Sequence, residues 1–208
     1  MRRSPCRRDA DLGGSNPIPL DVPGAGGSKA LMLALGKDGK AYLLDRNNLG
    51  GIGGQLAAET VSETRIITSP AAYRVGNDVF VAFQAPGAHC PTPGRGRDLT
   101  VLRITAGSLP AMSTAWCGAL RGRGFPIVTT TDGHSNPIVW MLGAEGDNRL
   151  HAFRGDTGEP IFASAPWAVC DASRRRSRPG ITFMSAPMSA FTRSSSELAA
   201  ALRNRSRT

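Results

Sequence analysis

One hairpin pattern occurs twice in this chain, and it constrains the fold more than any other feature. Residues 31–45 read LMLALGKDGKAYLLD and residues 138–154 read IVWMLGAEGDNRLHAFR. Each is an apolar run ending in Gly, a tight turn of Asp, Gly or Asn, and a second run that alternates into an aliphatic or aromatic end. Two such hairpins, about 110 residues apart, imply a repeated sheet unit, and a repeated unit sets the architecture before any local preference does.

The rest of the chain follows the same rhythm. Residues 17–22, 29–35, 41–45 and 55–61 read as four strands. Pro17 and Pro19 confine the first to an edge or a strand start. The second, KALMLAL, is nearly continuous in apolar residues and reads as buried on both faces. Asp38-Gly39 supplies the positive φ of a hairpin turn. A second group comprises 70–75, 79–84, 99–105 and 113–117, and a third comprises 126–130, 137–143, 149–154 and 159–163. Helical periodicity is absent from 12–165. The 25 Gly and 15 Pro fit many short strands joined by tight turns. Four antiparallel strands recurring every 40–55 residues or so match the blades of a β-propeller. The expected fold is therefore all-β: a partial propeller of about three four-stranded blades near 16–62, 66–118 and 125–164. It is preceded by a disordered segment, 1–15, and followed by a basic tail, 166–208, that is disordered or weakly helical.

The net charge of +9 invites a nucleic-acid reading, but the distribution opposes it. Residues 1–11 carry four Arg against two Asp, and residues 171–208 carry eight Arg against one Asp and one Glu. The patterned body is almost neutral and has no aromatic platform interleaved with cations. No specific nucleic-acid partner is expected. No apolar run approaches the roughly 20 residues of a membrane span. The opening MRRSPCRRDADLGG has a positive head but no apolar h-region, so it is not read as a signal peptide. As written the chain would stay in the cytosol, while a longer parent is compatible with export.

The cysteines are Cys6, Cys90, Cys117 and Cys170, and their spacing matches no zinc pattern. Cys90 and Cys117 flank one strand and its return. Both a disulfide, which needs an oxidising compartment, and two half-buried thiols fit that placement. His89, His134 and His151 are the three histidines, and no two sit at metal-ligand spacing. His151 alternates with the apolar residues of its strand and reads as part of a strand face. Asp132, His134 and Asn136 lie in a polar loop between strands, where propellers bind ligands, and form the candidate polar site. Turn chemistry accounts for the same residues. Asp132, His134 and Ser135 are too close in sequence to converge as a catalytic triad. Asp38, Asp147 and Asn148 read as turn residues rather than calcium ligands. Gly50-Gly51-Ile52-Gly53-Gly54 opens no helix and is a loop rather than a dinucleotide fingerprint. Trp116, Trp140 and Trp167 read as packing residues.

Two stretches carry a family resemblance. One is Gly36-Lys37-Asp38-Gly39-Lys40-Ala41-Tyr42-Leu43-Leu44-Asp45. The other is Leu150-His151-Ala152-Phe153 followed by Asp156-Thr157-Gly158-Glu159 and Phe162, with Phe where Trp is usual. Together they resemble the pyrroloquinoline-quinone (PQQ)-type repeat of quinoprotein-like β-propellers, over about residues 16–164. The resemblance implies a propeller whose repeat residues are structural. Enzymes of this family hold the quinone with a stacking Trp, a calcium bound by acidic and amide side chains, and a catalytic Asp. None of these can be placed residue by residue here. No catalytic residue, metal site or cofactor is therefore expected. The expected role is a non-catalytic binding or scaffold module, with a protein partner on the propeller face. The alternative is a fragment of a PQQ-dependent alcohol dehydrogenase-like oxidoreductase, with PQQ and calcium.

From Cys170 onward the pattern dissolves into Arg, Ser, Ala and Pro. A natural disordered tail fits this composition, with a short helix at 196–203 from propensity alone. A displaced reading frame fits it as well. Moved two nucleotides across residues 183–194, suitable codons spell Tyr-Val-Gly-Ala-Asp-Val-Gly-Val-Tyr-Ala-Phe, which is the hairpin again. The N-terminal side reads similarly, as an internal or truncated start. Three blades are too few to close a ring, so the chain alone is expected to be poorly stable or aggregation-prone.

Overall fold

The computed structural model describes residues 14–24, 26–92 and 97–167. The expected N-terminal segment up to residue 13, Cys6, the basic tail from 168 onward and Cys170 lie outside the described residues. Among the described residues, twelve strands form three four-stranded antiparallel sheets, each in simple up-and-down order. Blade 1 is β1 (Ile18–Val22), β2 (Lys29–Leu35), β3 (Lys40–Asp45) and β4 (Ala57–Thr60). Blade 2 is β5 (Ala71–Val75), β6 (Asp78–Gln84), β7 (Leu99–Ala106) and β8 (Pro110–Gly118). Blade 3 is β9 (Ile127–Thr129), β10 (Ile138–Leu142), β11 (Leu150–Arg154) and β12 (Pro160–Ala163). Among the described residues no helix is long and apolar enough to cross a membrane.

Alternation along the strands sends each blade's apolar residues into one of two cores. Leu31, Leu33, Leu35 and Leu43 of blade 1 meet Val81 and Phe83 of blade 2. On the other side of blade 2, Phe80, Ala82, Leu99 and Val101 meet Val139 and Phe153 of blade 3. β6 is thus buried on both faces, and β7 likewise sends Leu99 and Val101 to one core and Leu102 and Ile104 to the other. The continuous run in β2 suggested that role for blade 1, but β2 alternates between buried and half-buried positions. The reason is positional: blade 1 has a packed sheet on one face, whereas blade 2 has one on each.

The two equivalent hairpin turns meet their steric demands differently. In the β2–β3 turn Gly39 takes φ 78°, and a Cβ there would lie 2.6 Å from the Ser62 carbonyl oxygen. In the β10–β11 turn Glu145 and Asn148 take the positive φ values, 58° and 54°. Gly146 is required there for space, since a Cβ would fall 2.3 Å from the Arg121 carbonyl oxygen.

Polar straps reinforce the apolar contacts between blades. Lys29 Nζ donates to the carbonyls of Gly107 (2.7 Å) and Ser108 (3.2 Å). Between blades 2 and 3, Tyr73 Oη (2.7 Å) and Trp116 Nε1 (3.0 Å) both donate to the Gly155 carbonyl. The Trp116 ring lies on Gly158, where a Cβ would come within 2.6 Å of the indole. Trp116 and half-buried Trp140 are packing residues as expected. Trp167 is not: it is 53% exposed, and it lies beyond β12, the last strand among the described residues.

Cys90 and Cys117 form a disulfide, which decides between the two readings open from sequence. It ties the β6–β7 connection to β8. Gly87 makes room for it, since a Cβ there would lie 2.7 Å and 2.8 Å from the two sulfurs. The bond closes a loop of sequence separation 27. Peptide mapping without reductant will recover a Cys90–Cys117 cross-link, and Cys117→Ser will lower stability by about 3 kcal/mol in urea melts. Gly158→Ala combines a left-handed φ of 74° with a clash on Trp116. It is expected to cost about 2–4 kcal/mol. Gly76→Ala, at φ 60° in open space, will cost about 1–2 kcal/mol. Equal losses for the two would show that the indole contact contributes nothing.

Candidate functional site

The β9–β10 connection contains the polar residues singled out from sequence, and its geometry is that of a self-closed turn. Asp132 Oδ1 accepts the backbone N–H groups of His134 (2.9 Å) and Ser135, and Asp132 Oδ2 accepts Ser135 Oγ (2.9 Å). Thr131 N donates to the Ser135 carbonyl (3.0 Å), and Asn136 Nδ2 donates to Thr131 Oγ1 (3.4 Å). Gly133 and Asn136 supply the left-handed residues, at φ 87° and 50°. The Ser135 N–H holds the Asp132 carboxyl down at about 2, aided by the His134 N–H and the Ser135 hydroxyl. The carboxylate is therefore occupied in holding its own loop.

Asn136 also reaches a cleft of about 390 Å³ at the rim between blades 2 and 3. Val75, Ile138 and Ile161 form its apolar walls, and Arg154 and Asp156 form its charged side. Asp132 and His134 are not among its lining residues. The Arg154–Asp156 pair was missed from sequence. Arg154 Nε and Nη2 donate to the two Asp156 oxygens at 3.1 Å and 2.7 Å, a bidentate pair. The Arg154 guanidinium lowers the Asp156 carboxyl and is itself held further up by that carboxylate. An Arg ending a strand and an Asp two residues on, with Gly155 between them, was the available signal.

A second polar cluster sits at the opposite ends of β10 and β11. Asp147 Oδ2 meets His151 Nε2 at 2.9 Å and accepts the Arg121 N–H at 3.2 Å, while Asp147 Oδ1 accepts the Arg149 N–H at 3.1 Å. His151 is buried and stacks on Phe153. It thus occupies a strand face, as its alternation suggested. Asp98 Oδ2 accepts the Gly122 N–H (2.9 Å), and Gln84 Nε2 donates to the Gly122 carbonyl (3.1 Å). These groups fasten the blade 2–blade 3 connection to both sheets. Among the described residues no three His, Cys, Asp or Glu side chains are grouped to hold a metal ion.

Trp116 and Trp140 are committed to packing rather than free to stack on a quinone. Trp116 lies buried between blades, with its ring against Gly158 and its N–H on Gly155. Trp140 packs beside Phe162, with ring centroids 6.2 Å apart, and donates to Thr129 Oγ1 (2.8 Å). The carboxylates of Asp132 and Asp147 are bound to turn N–H groups.

No family model matches the chain, and no curated protein matches it. Among solved structures it is similar to the quinohemoprotein alcohol dehydrogenase ADHIIG from Pseudomonas putida HK5, at 14% identity and a TM-score of 0.41. The alignment covers 73% of this chain and 31% of that one. The chain thus spans less than a third of that enzyme's length. At this level of likeness nothing about binding or activity passes from that enzyme to this chain.

Because its folded pKa is depressed below the ordinary 3.8, Asp132 stabilises its loop above pH 4. That contribution is lost as pH falls toward 2. In an NMR titration the His134 and Ser135 amides will move with a midpoint near pH 2. A midpoint near 4 would show that the carboxylate is not held by these donors.

Proposed function

We propose that this chain is a non-catalytic module of the quinoprotein-like (PQQ-type repeat) β-propeller class that binds or scaffolds a protein partner. The observation that carries this reading is the rim cleft between blades 2 and 3. Its lining combines an apolar floor with side chains that recognise backbone and charge. Val75, Ile138 and Ile161 would take an apolar side chain. Asn136 offers both a donor and acceptors to a peptide amide. Arg154 and Asp156 are exposed or half-exposed and offer one charge of each sign. An extended peptide segment presents this combination.

The polar chemistry elsewhere supports the same reading. Asp132, Asp147 and Asp98 cap backbone N–H groups, and Trp116 joins two blades. These are structural assignments for the residue types that a quinone-dependent dehydrogenase would use for catalysis.

Two measurements separate the readings. Titration of the full chain with PQQ and calcium will produce no saturable quenching of tryptophan fluorescence, and dye-linked alcohol oxidation will stay at background. Saturable quenching with alcohol oxidation would replace this proposal with the dehydrogenase alternative. Panning a random peptide library on the full chain will select segments whose affinity falls at least about tenfold in Ile161→Asp, the penalty of one unpaired polar group in an apolar contact. Selected peptides that bind Ile161→Asp equally well would remove the cleft as the site.

A further inference from the structure

A strap of backbone joins blade 2 to blade 1, and the Cys90–Cys117 disulfide sets its position. The strap is the start of the β6–β7 connection, residues 85–90. The Ala88 N–H donates to the Val61 carbonyl (3.1 Å), the Glu63 N–H donates to the Pro86 carbonyl (3.0 Å), and Ser62 and Gly87 form an antiparallel bridge. The N–H groups of Val61 and Ser62 donate in turn to the Gly39 carbonyl in the β2–β3 turn (2.9 and 3.0 Å). Val61 and Ala85 belong to the apolar core between blades 1 and 2. The strap therefore closes one end of that core.

The ties that hold the strap are unevenly placed. Ala85 is anchored by Thr100 Oγ1, which donates to its carbonyl (2.8 Å). Past Ala88, residues 89–92 make no backbone hydrogen bond to the other described residues, so the sulfur bridge is what fixes that end. The bridge also seats the middle of the strap, since a Cβ on Gly87 would lie 2.7 Å from Cys90 Sγ and 2.8 Å from Cys117 Sγ. Two thiols occupy more room than the bond they replace. Cys117 is 8% exposed and is held in β8 opposite Thr100, whereas Cys90 is half-buried and lies outside any strand. Cys90 is thus the sulfur that must move, and Gly87 lies against it. Neither cysteine belongs to either apolar core, so the sheets do not rest on the bond.

We propose that Cys90 and Cys117 form a redox-sensitive lock on the junction of blades 1 and 2. The co-reactant is a dithiol. Its thiolate attacks Cys90 Sγ, the more accessible sulfur; the Cys90–Cys117 bond breaks, and Cys117 leaves as a thiolate that takes up a proton. The second thiol of the reductant then attacks the mixed disulfide and releases Cys90. Two electrons and two protons pass to the chain, and the dithiol becomes its own disulfide. The freed Cys90 turns outward and carries Pro86–Ala88 off Val61–Glu63. The junction of blades 2 and 3 stays closed, because its ties run through other groups: Asp98 Oδ2 to the Gly122 N–H, and Tyr73 and Trp116 to the Gly155 carbonyl. The lock is one-sided, and it is independent of what the rim cleft binds.

Amide hydrogen exchange of the full chain tests it, with Cys6→Ser and Cys170→Ser so that Cys90 and Cys117 are the one redox couple. Dithiothreitol without denaturant is expected to reduce the bond and to speed exchange of the Glu63 and Ala88 amides at least about tenfold. The amides of Gly122, Gly155 and Val81 are expected to keep their oxidised rates. Reoxidation will restore the slow rates at Glu63 and Ala88. Adding Cys90→Ala and Cys117→Ala will give the fast rates at once, with no response to dithiol. A bond that resists the dithiol in the folded chain would overturn the proposal. So would unchanged Glu63 and Ala88 rates after reduction, which would mark a purely local staple. Equal acceleration at Gly122, Gly155 and Val81 would overturn it too, because the bond would then hold the whole fold rather than one junction.

Discussion

The burial of blade 2 on both faces is the constraint on which the rest of this structure depends. An isolated four-stranded sheet of this size leaves an apolar face in water, and stacking is what removes it. Val79, Val81 and Phe83 point to one core, while Phe80 and Ala82 point to the other. One strand of seven residues therefore serves two interfaces. A polar substitution at Val81 would open the contact with blade 1, and one at Ala82 would open the contact with blade 3. Among the described residues, blades 1 and 3 each have one such face.

The blade 2–blade 3 junction shows how a repeat motif becomes a specific contact rather than a general apolar one. A single carbonyl, that of Gly155, accepts hydrogen bonds from Tyr73 at the start of blade 2 and Trp116 at its end. Both donors are buried groups that would otherwise lose hydration without compensation. Burial pushes the Tyr73 phenol above its ordinary pKa, so it remains a neutral donor. Glycine at 158 lets the indole plane approach the backbone, and Tyr73 stacks on Phe80 to complete the wall. The junction fixes rotation between the sheets as well as their separation.

Most of the sheet pattern was legible because strand alternation and turn residues are local signals. The repeated hairpin placed β2, β3, β10 and β11 close to their observed limits, and Asp38-Gly39 marked its turn. Burial depth was less legible. KALMLAL looked like a doubly buried strand, but burial depends on which blade has two neighbours, and local composition does not carry that. The Cys90–Cys117 bond was one of two open readings, because the path of the β6–β7 connection decides whether the sulfurs meet. The candidate loop was legible as a turn. Its relation to a cleft was not, since Val75 and Arg154 come together only when two blades pack. Asp156 reads from sequence as a turn residue of the repeat, and its pairing with Arg154 carries no signal because neither residue departs from ordinary turn composition.

The distribution of polar partners separates holding from binding in this fold. Asp132, Asp147 and Asp98 each point inward to N–H groups of nearby connections, so their charge is matched within the chain. Such carboxylates are poor starting points for ligand chemistry, because a ligand would have to displace bonds that hold the backbone. The Arg154–Asp156 pair differs in its setting. It joins two side chains two residues apart, restrains no distant segment, and has an apolar wall beside it. An exposed pair of this kind contributes little to stability, so a ligand can separate or extend it at small cost. By this criterion the proposed peptide site belongs at the rim of blades 2 and 3 rather than at the polar loop itself.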